Sequence, residues 1–160
     1  TYIKRPHGHM YLTAIIDWHS RYIVGWNLSD TLDTMYVMDA VKAAVSAHGT
    51  PGILNSDQGS QFTSSDYKQL LKDYHIVQSM DGKSRWADNI MIERWFRSLK
   101  VEEIYPNEYA NPRELRRAIA RYINEYNTLR PHEALDNRTP ASVYYASFSS
   151  GASEEMELAS

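Results

Sequence analysis

Two runs constrain this chain more than anything else in it. MYLTAIID at 10–17 and RYIVGWNL at 21–28 are rich in β-branched and aromatic residues, and only Trp18-His19-Ser20 stands between them. So short a polar link between two such runs reads as a β-hairpin. Thr1-Tyr2-Ile3 reads as the end of an earlier strand, and Pro6-His7-Gly8 as a turn. The chain therefore opens inside a sheet. With Thr1 rather than Met at its head, it is expected to be a fragment or a processed product.

Behind the hairpin the pattern alternates. Val37, Ala40, Val41, Ala44 and Val45 fall at helical spacing and predict a helix over 33–48, capped by Asp33 or Ser29 and stopped at His48-Gly49-Thr50-Pro51. Residues 52–55 read as a short buried strand. Residues 64–74 predict a second helix with Leu70, Leu71 and Tyr74 on its apolar side, and His75-Ile76-Val77-Gln78 a further strand. The stretch 79–85 has the composition of a loop. A third helix is expected from 87 to 101 and a fourth from 112 to 127, with Pro112 suited to its first turn. Residues 131–138 are irregular. Thr139-Pro140 then introduces a capped short helix, and 149–160 reads as a frayed end. A hairpin feeding alternating β and α units implies an α/β fold, a mixed sheet with helices on both faces. The length, 160 residues, suits one domain. We expect that domain at 1–146 and a flexible tail at 147–160.

Composition removes several functional classes. There is no cysteine, hence no disulfide, thiolate zinc site or cysteine nucleophile. No apolar run approaches the roughly 18 residues of a membrane helix, and no signal peptide is visible. Net charge is −3, which does not suggest a strongly basic nucleic-acid protein. The charge is unevenly spread, however. Residues 83–130 hold 10 basic and 7 acidic residues, whereas 1–82 hold 6 and 8. A solvated helical surface and a phosphate-binding face both fit that excess.

Two carboxylates stand out. Asp57 lies in SDQGSQF at 56–62, directly after the short strand, where an open α/β sheet presents ligand-binding groups. Gly59 permits a tight turn there. The plainer alternative is an Asp that caps the turn. Glu93 lies on the third helix, whose apolar side is built by Ile92, Trp95, Phe96 and Leu99. Asn89, Glu93, Arg97 and Lys100 are spaced to share the other side. An ordinary Glu–Arg surface pair is the plainer reading of that face.

SDQGSQF, followed by WADNIMIERWFRSLKVEE at 86–103, resembles the catalytic core of DDE transposases and retroviral-type integrases, with 35 residues between Asp57 and Glu93. YINEYNTLRPHEALDNRTPASVY at 122–144 resembles the end of transposases of bacterial insertion sequences, and TYI with YLTAIIDWHSRYIVGW their first strands. The resemblance spans about residues 1–146. It implies a ribonuclease H-like fold and a polynucleotidyl transferase that nicks and joins DNA strands in transposition. It implies Asp57 and Glu93 as catalytic metal ligands for Mg²⁺ or Mn²⁺. In such sites two ions about 3.5–4 Å apart serve the attacking and leaving oxygens. Arg97 and Lys100 become expected DNA phosphate contacts. The implied partners are transposon-end and target DNA and further copies of the chain, with no membrane, in the bacterial cytoplasm at the nucleoid.

The chain departs from the family pattern at one place. The family carries a third carboxylate on its first strand in a pattern resembling Asp-Ile-Thr-Tyr-Ile, and Thr1-Tyr2-Ile3 matches only its last three positions. The expected Asp would stand two residues before Thr1. We therefore expect the 160-residue chain by itself to be inactive or nearly so. Asp17 is the available substitute, but its place by the hairpin predicts a turn cap. A non-catalytic remnant that binds DNA or partner subunits is the alternative function, and a nuclease that hydrolyses without joining strands is another. His7 and His9 read as exposed turn residues rather than metal ligands. His132 is expected to pack or to lie near DNA. Trp86 is expected to anchor its loop, with base stacking as the alternative, and Asp88 to cap the third helix.

Overall fold

The computed structural model describes the backbone at residues 1–80 and 85–158, and the side chains at 1–80 and 89–149. The chain divides into two compact units: residues 1–16 with 24–106, and residues 17–23 with 107–160.

In the first unit, β1 (Tyr2–Arg5) and β2 (Gly8–Ile16) pair antiparallel, with Ile3 opposite Met10, and β3 (Ile23–Ser29) is the next neighbour of β2. The period-2 alternation sends Ile3, Met10 and Leu12 into the core. Helix α1 (Thr34–His48) lies very close to β3. A Cβ on Gly25 would come 2.8 Å from the Ala44 Cβ and 3.0 Å from the Ala40 carbonyl, so only glycine fits. Asp33 takes the N-cap position of α1, but its carboxylate accepts from the Thr31 hydroxyl instead of from the helix. Strands β4 (Ile53–Asn55) and β5 (Val77–Ser79) pair in parallel. Antiparallel and parallel pairing are thus both present, divided among the described strands between a three-stranded and a two-stranded sheet. The strand at 53–55 is not buried throughout. Leu54 packs on the core formed by Val37, Val41, Tyr67, Leu71 and Ile76, whereas Ile53 alternates outward and is 66% exposed.

The expected helix at 64–74 is two helices. Gly59 precedes the short α2 (Ser60–Thr63), and Ser64 then caps α3 (Ser65–Asp73) by accepting from the Tyr67 amide. The far end of α3 corrects the expected strand start. His75 adopts φ 57°, its amide donates to the Lys72 carbonyl, and the Ile76 amide reaches back to Leu71. That is a Schellman closure, with buried Ile76 and Leu71 making its hydrophobic contact. Histidine tolerates the left-handed region better than a β-branched residue does. The strand therefore begins two residues late, at Val77.

Helix α4 (Arg85–Leu99) runs into a π-helical turn over Lys100–Ile104, closed by the Tyr105 amide on the Lys100 carbonyl at 2.8 Å. Trp95 and Leu99 are buried, and the next position at regular spacing is Glu103. The extra residue of the π-turn puts Ile104 into the core in its place.

In the second unit, α5 (Pro112–Thr128) starts with a reciprocal cap. The Asn111 side chain accepts from the Glu114 amide, and the Glu114 carboxylate accepts from the Ala110 amide, both at 3.0 Å. Its buried stripe runs Leu115, Ala118, Ile119, Tyr122, Ile123, Tyr126. Buried Asn127 ends the stripe and pairs like a neighbouring strand with Ile23, accepting from its amide at 2.9 Å and donating to its carbonyl at 3.1 Å. Thr139 caps α6 (Pro140–Leu158) through the Ser142 amide. The helical backbone continues through most of the stretch expected to fray. Tyr22 stacks on Tyr144 at 4.6 Å between ring centroids.

Candidate active site

Asp57 stands just past the end of β4, on an exposed loop. One of its oxygens accepts from the Gly59 amide at 2.7 Å. Gly59 has φ −56°, an ordinary value, so left-handed freedom is not what the position requires. A Cβ there would lie 2.9 Å from the Asp57 carboxylate oxygen and 2.8 Å from the Gln61 amide, both ends of flexible side chains that can give way. The loop is held from β5 as well. The Gln78 amide nitrogen donates to the Phe62 carbonyl at 2.8 Å and to the Ser56 hydroxyl at 3.1 Å, and the Ser56 amide donates to the Ser79 carbonyl. Phe62 in turn packs edge-on against buried Tyr67, whose hydroxyl burial pushes up to about 12.

The start of β1 belongs to the same neighbourhood. The Thr1 nitrogen donates to the Leu12 carbonyl at 2.9 Å. Lys100 and Asp57 both lie within electrostatic reach of Thr1. Lys100 also lies over the Tyr2 ring, 5.1 Å from its centroid. Strand β1, the end of β4 and the end of α4 are therefore within electrostatic reach of one another.

Glu93 is exposed on α4. With Arg97, Arg94, Ser98 and Glu102 it lines an open groove of about 430 Å³. Arg97 thus stays beside Glu93, whereas Lys100 turns to Tyr2 and Thr1. Among the described residues, no three acidic or histidine side chains stand close enough to hold a metal ion.

Two integrase core domain descriptions match the sequence, one over residues 1–85 and the other over 74–140. The chain belongs to the integrase core domain family. A transposase for insertion sequence element IS904 of Lactococcus lactis is 38% identical over 143 residues, covering 88% of this chain and 56% of the relative. The chain spans about half the length of the curated relatives it matches. Among solved structures, an intasome chain of simian T-cell lymphotropic virus superposes with a TM-score of 0.77 at 15% identity, over 90% of this chain and 51% of the other. The integrase catalytic core of HTLV-2, solved in complex with magnesium, superposes at 0.66 and 21% identity, over 90% of each. These likenesses establish the ribonuclease H-like core fold.

Other expectations for this integrase core can now be located. Asp17 caps the hairpin turn: its carboxylate accepts from the Ser20 amide at 2.8 Å and the Ser20 hydroxyl at 2.6 Å. His7 and His9 are exposed, and His9 meets Tyr2 edge-on. The side chains of Trp86 and Asp88 lie outside the described residues. Sequence reasoning missed Gln78, the residue that clamps the Asp57 loop. A polar side chain in a short apolar strand was the available signal. Asp57 and Glu93 offer hard oxygens on exposed side chains, a donor type that fits Mg²⁺ completed by water and phosphate oxygens. No helix is long and apolar enough to cross a membrane among the described residues.

Proposed function

We propose that this integrase core performs the strand chemistry of DNA transposition, metal-dependent nicking at a mobile-element end and transfer of that end into target DNA. One observation carries the reading. Asp57 and Lys100 both lie within electrostatic reach of Thr1, and Lys100 covers the Tyr2 ring 5.1 Å from its centroid, so β1, the Asp57 loop and the end of the helix that bears Glu93 are neighbours. In the resemblance these are the three elements that hold the family's carboxylates.

Asp57 and Glu93 would hold Mg²⁺ or Mn²⁺, and the magnesium complex of the HTLV-2 core supports that choice of ion. When bound, such ions activate an attacking oxygen and stabilise the leaving one. The protein's own part is positional. Gly59 and Gln78 fix the Asp57 loop. Arg97, exposed beside Glu93, meets phosphate oxygens, and Lys100 adds positive charge at the start of β1. A carboxylate two residues before Thr1, where the resemblance puts the family's first Asp, would complete the site. The substrates are the element's own ends and a target duplex, in the bacterial cytoplasm at the nucleoid, and the working form is a homo-oligomer.

The test compares two proteins in a strand-transfer assay with labelled DNA ends and Mg²⁺. The 160-residue chain is expected to give no product. A chain extended upstream with Asp two residues before Thr1 is expected to give product that disappears with EDTA. Robust transfer by the shorter chain would sink the three-carboxylate reading. If both proteins bind DNA and neither cuts it, the chain is a DNA-binding remnant.

A further inference from the structure

The second unit carries a cluster that the strand chemistry does not use. His132 stands edge-on to Tyr126, with ring centroids 4.9 Å apart. Arg21 and Arg130 both act on this pair. Each guanidinium lowers the pKa of His132, after burial as the larger cause, and each acts on the Tyr126 hydroxyl. Arg130 is steered there by Tyr122, lying 5.5 Å from its ring centroid and 3.5 Å from its hydroxyl. His132 is fixed by a bridge to Arg138, its amide donating to the Arg138 carbonyl at 3.0 Å.

Three features of the cluster point outward to a ligand. First, two guanidiniums stand where both raise the cost of charging the same half-buried imidazole, an arrangement an anion relieves. Second, among the described residues the Arg21 Nε and the His132 Nε2 are buried atoms without a hydrogen-bond partner, although both side chains remain half-exposed. Orphaned polar atoms of this kind call for an explanation. Third, Arg21 holds φ 65° at the end of the hairpin turn, its amide tied to the Asp17 carbonyl at 2.8 Å. Glycine or asparagine would take that conformation with less strain, so the arginine side chain is kept there against a backbone cost.

We infer that Arg21, Arg130 and His132 form a phosphate-binding site on the second unit, separate from the carboxylates, that grips the backbone of duplex DNA. Planar guanidinium forks match phosphate oxygens, and a histidine N–H adds a third donor. The site reads no bases. It sets position and adds salt-sensitive affinity. The choice of DNA as the polyanion rests on the function proposed above, but the contact needs neither metal nor catalysis.

The experiment is fluorescence anisotropy of the 160-residue chain with a labelled duplex, in EDTA, over a salt series. Arg21→Asn keeps a residue that accepts the left-handed backbone, and Arg130→Gln keeps length and polarity. Each is expected to weaken binding about three- to tenfold and to flatten the salt slope by about one phosphate contact, equally for unrelated sequences. Arg21→Lys, which retains the charge, is expected to restore most of the slope. Circular dichroism melts identify variants that fail to fold, and for those the Lys variant carries the test. Variants that fold and bind with unchanged slope would overturn the site. Displacement by inorganic phosphate beyond chloride of equal ionic strength would overturn the DNA reading in favour of a free anion. An absence of DNA binding by the parent chain would defeat this inference together with the proposed function, whereas failure of strand transfer alone would not touch it.

Discussion

Two aspartates in this chain each accept a hydrogen bond from a backbone amide in the turn that follows, Ser20 for Asp17 and Gly59 for Asp57, and differ in their surroundings. Asp17 accepts hydrogen bonds from both the amide and the hydroxyl of Ser20, a residue with 0% exposure, and its carboxylate serves the hairpin. Asp57 accepts from the Gly59 amide on an exposed loop that β5 clamps from behind. The comparison teaches that a turn-closing hydrogen bond does not decide a carboxylate's work. What decides it is what else surrounds the group. Asp17 satisfies a buried neighbour, whereas Asp57 stands exposed at a strand end, within electrostatic reach of the start of β1.

Substitution should separate the two. In the upstream-extended protein proposed above, Asp57→Asn is expected to cut Mg²⁺-dependent strand transfer by about 100-fold or more with little change in melting temperature, because the proposed metal ligand is lost while the turn survives. Asp17→Ala should do the reverse. It leaves the buried Ser20 amide and hydroxyl without their acceptor, at a cost of about 1–3 kcal/mol in urea unfolding. Equal stability losses in the two variants would break the comparison.

Gln78→Leu sharpens it on the Asp57 side. Both clamp bonds go, the expected stability loss is about 1–2 kcal/mol, and kcat should fall with little change in KM for DNA. A rise in KM alone would assign Gln78 to binding rather than to positioning.

The smallest effect is a pH dependence. Burial lowers the pKa of His48, and burial with Arg130 and Arg21 lowers that of His132, from the usual 6.5. Between the folded values and 6.5 the unfolded chain binds more protons, so stability rises with pH across that window. It is complete above about 6.5 and is lost as the pH falls toward the folded values. Melting curves between pH 5 and 8 should show this fall, and His132→Gln should shrink it. An unchanged fall would place the effect elsewhere.

Much of the architecture was legible because it rests on local periodicity. The hairpin, the apolar stripe of α1, and α5 behind Pro112 follow from residue spacing alone. Asn111 and Glu114 stood in the sequence as a reciprocal cap that the reading passed over. The carboxylate pair came from motif and spacing, and the family matches agree with the resemblance that named it. The end of α3 was misread because Ile76 looks like a strand residue until His75 turns left-handed and folds it back on Leu71. Ile53 was assigned to the interior because a three-residue strand is too short to reveal its alternation.

The sequence by itself determined the order of strands and helices, the turn at Asp17, and the two carboxylates with 35 residues between them. These depend on neighbours a few positions apart, or on a motif that can be read as text. Only the tertiary structure decided that Lys100 leaves Arg97 for Tyr2, that a π-turn buries Ile104 in place of Glu103, that Gln78 holds the Asp57 loop, and that Arg21 and Arg130 come within electrostatic reach of His132. Each of those depends on groups far apart in the chain or on a one-residue change of helical register, and packing settles both.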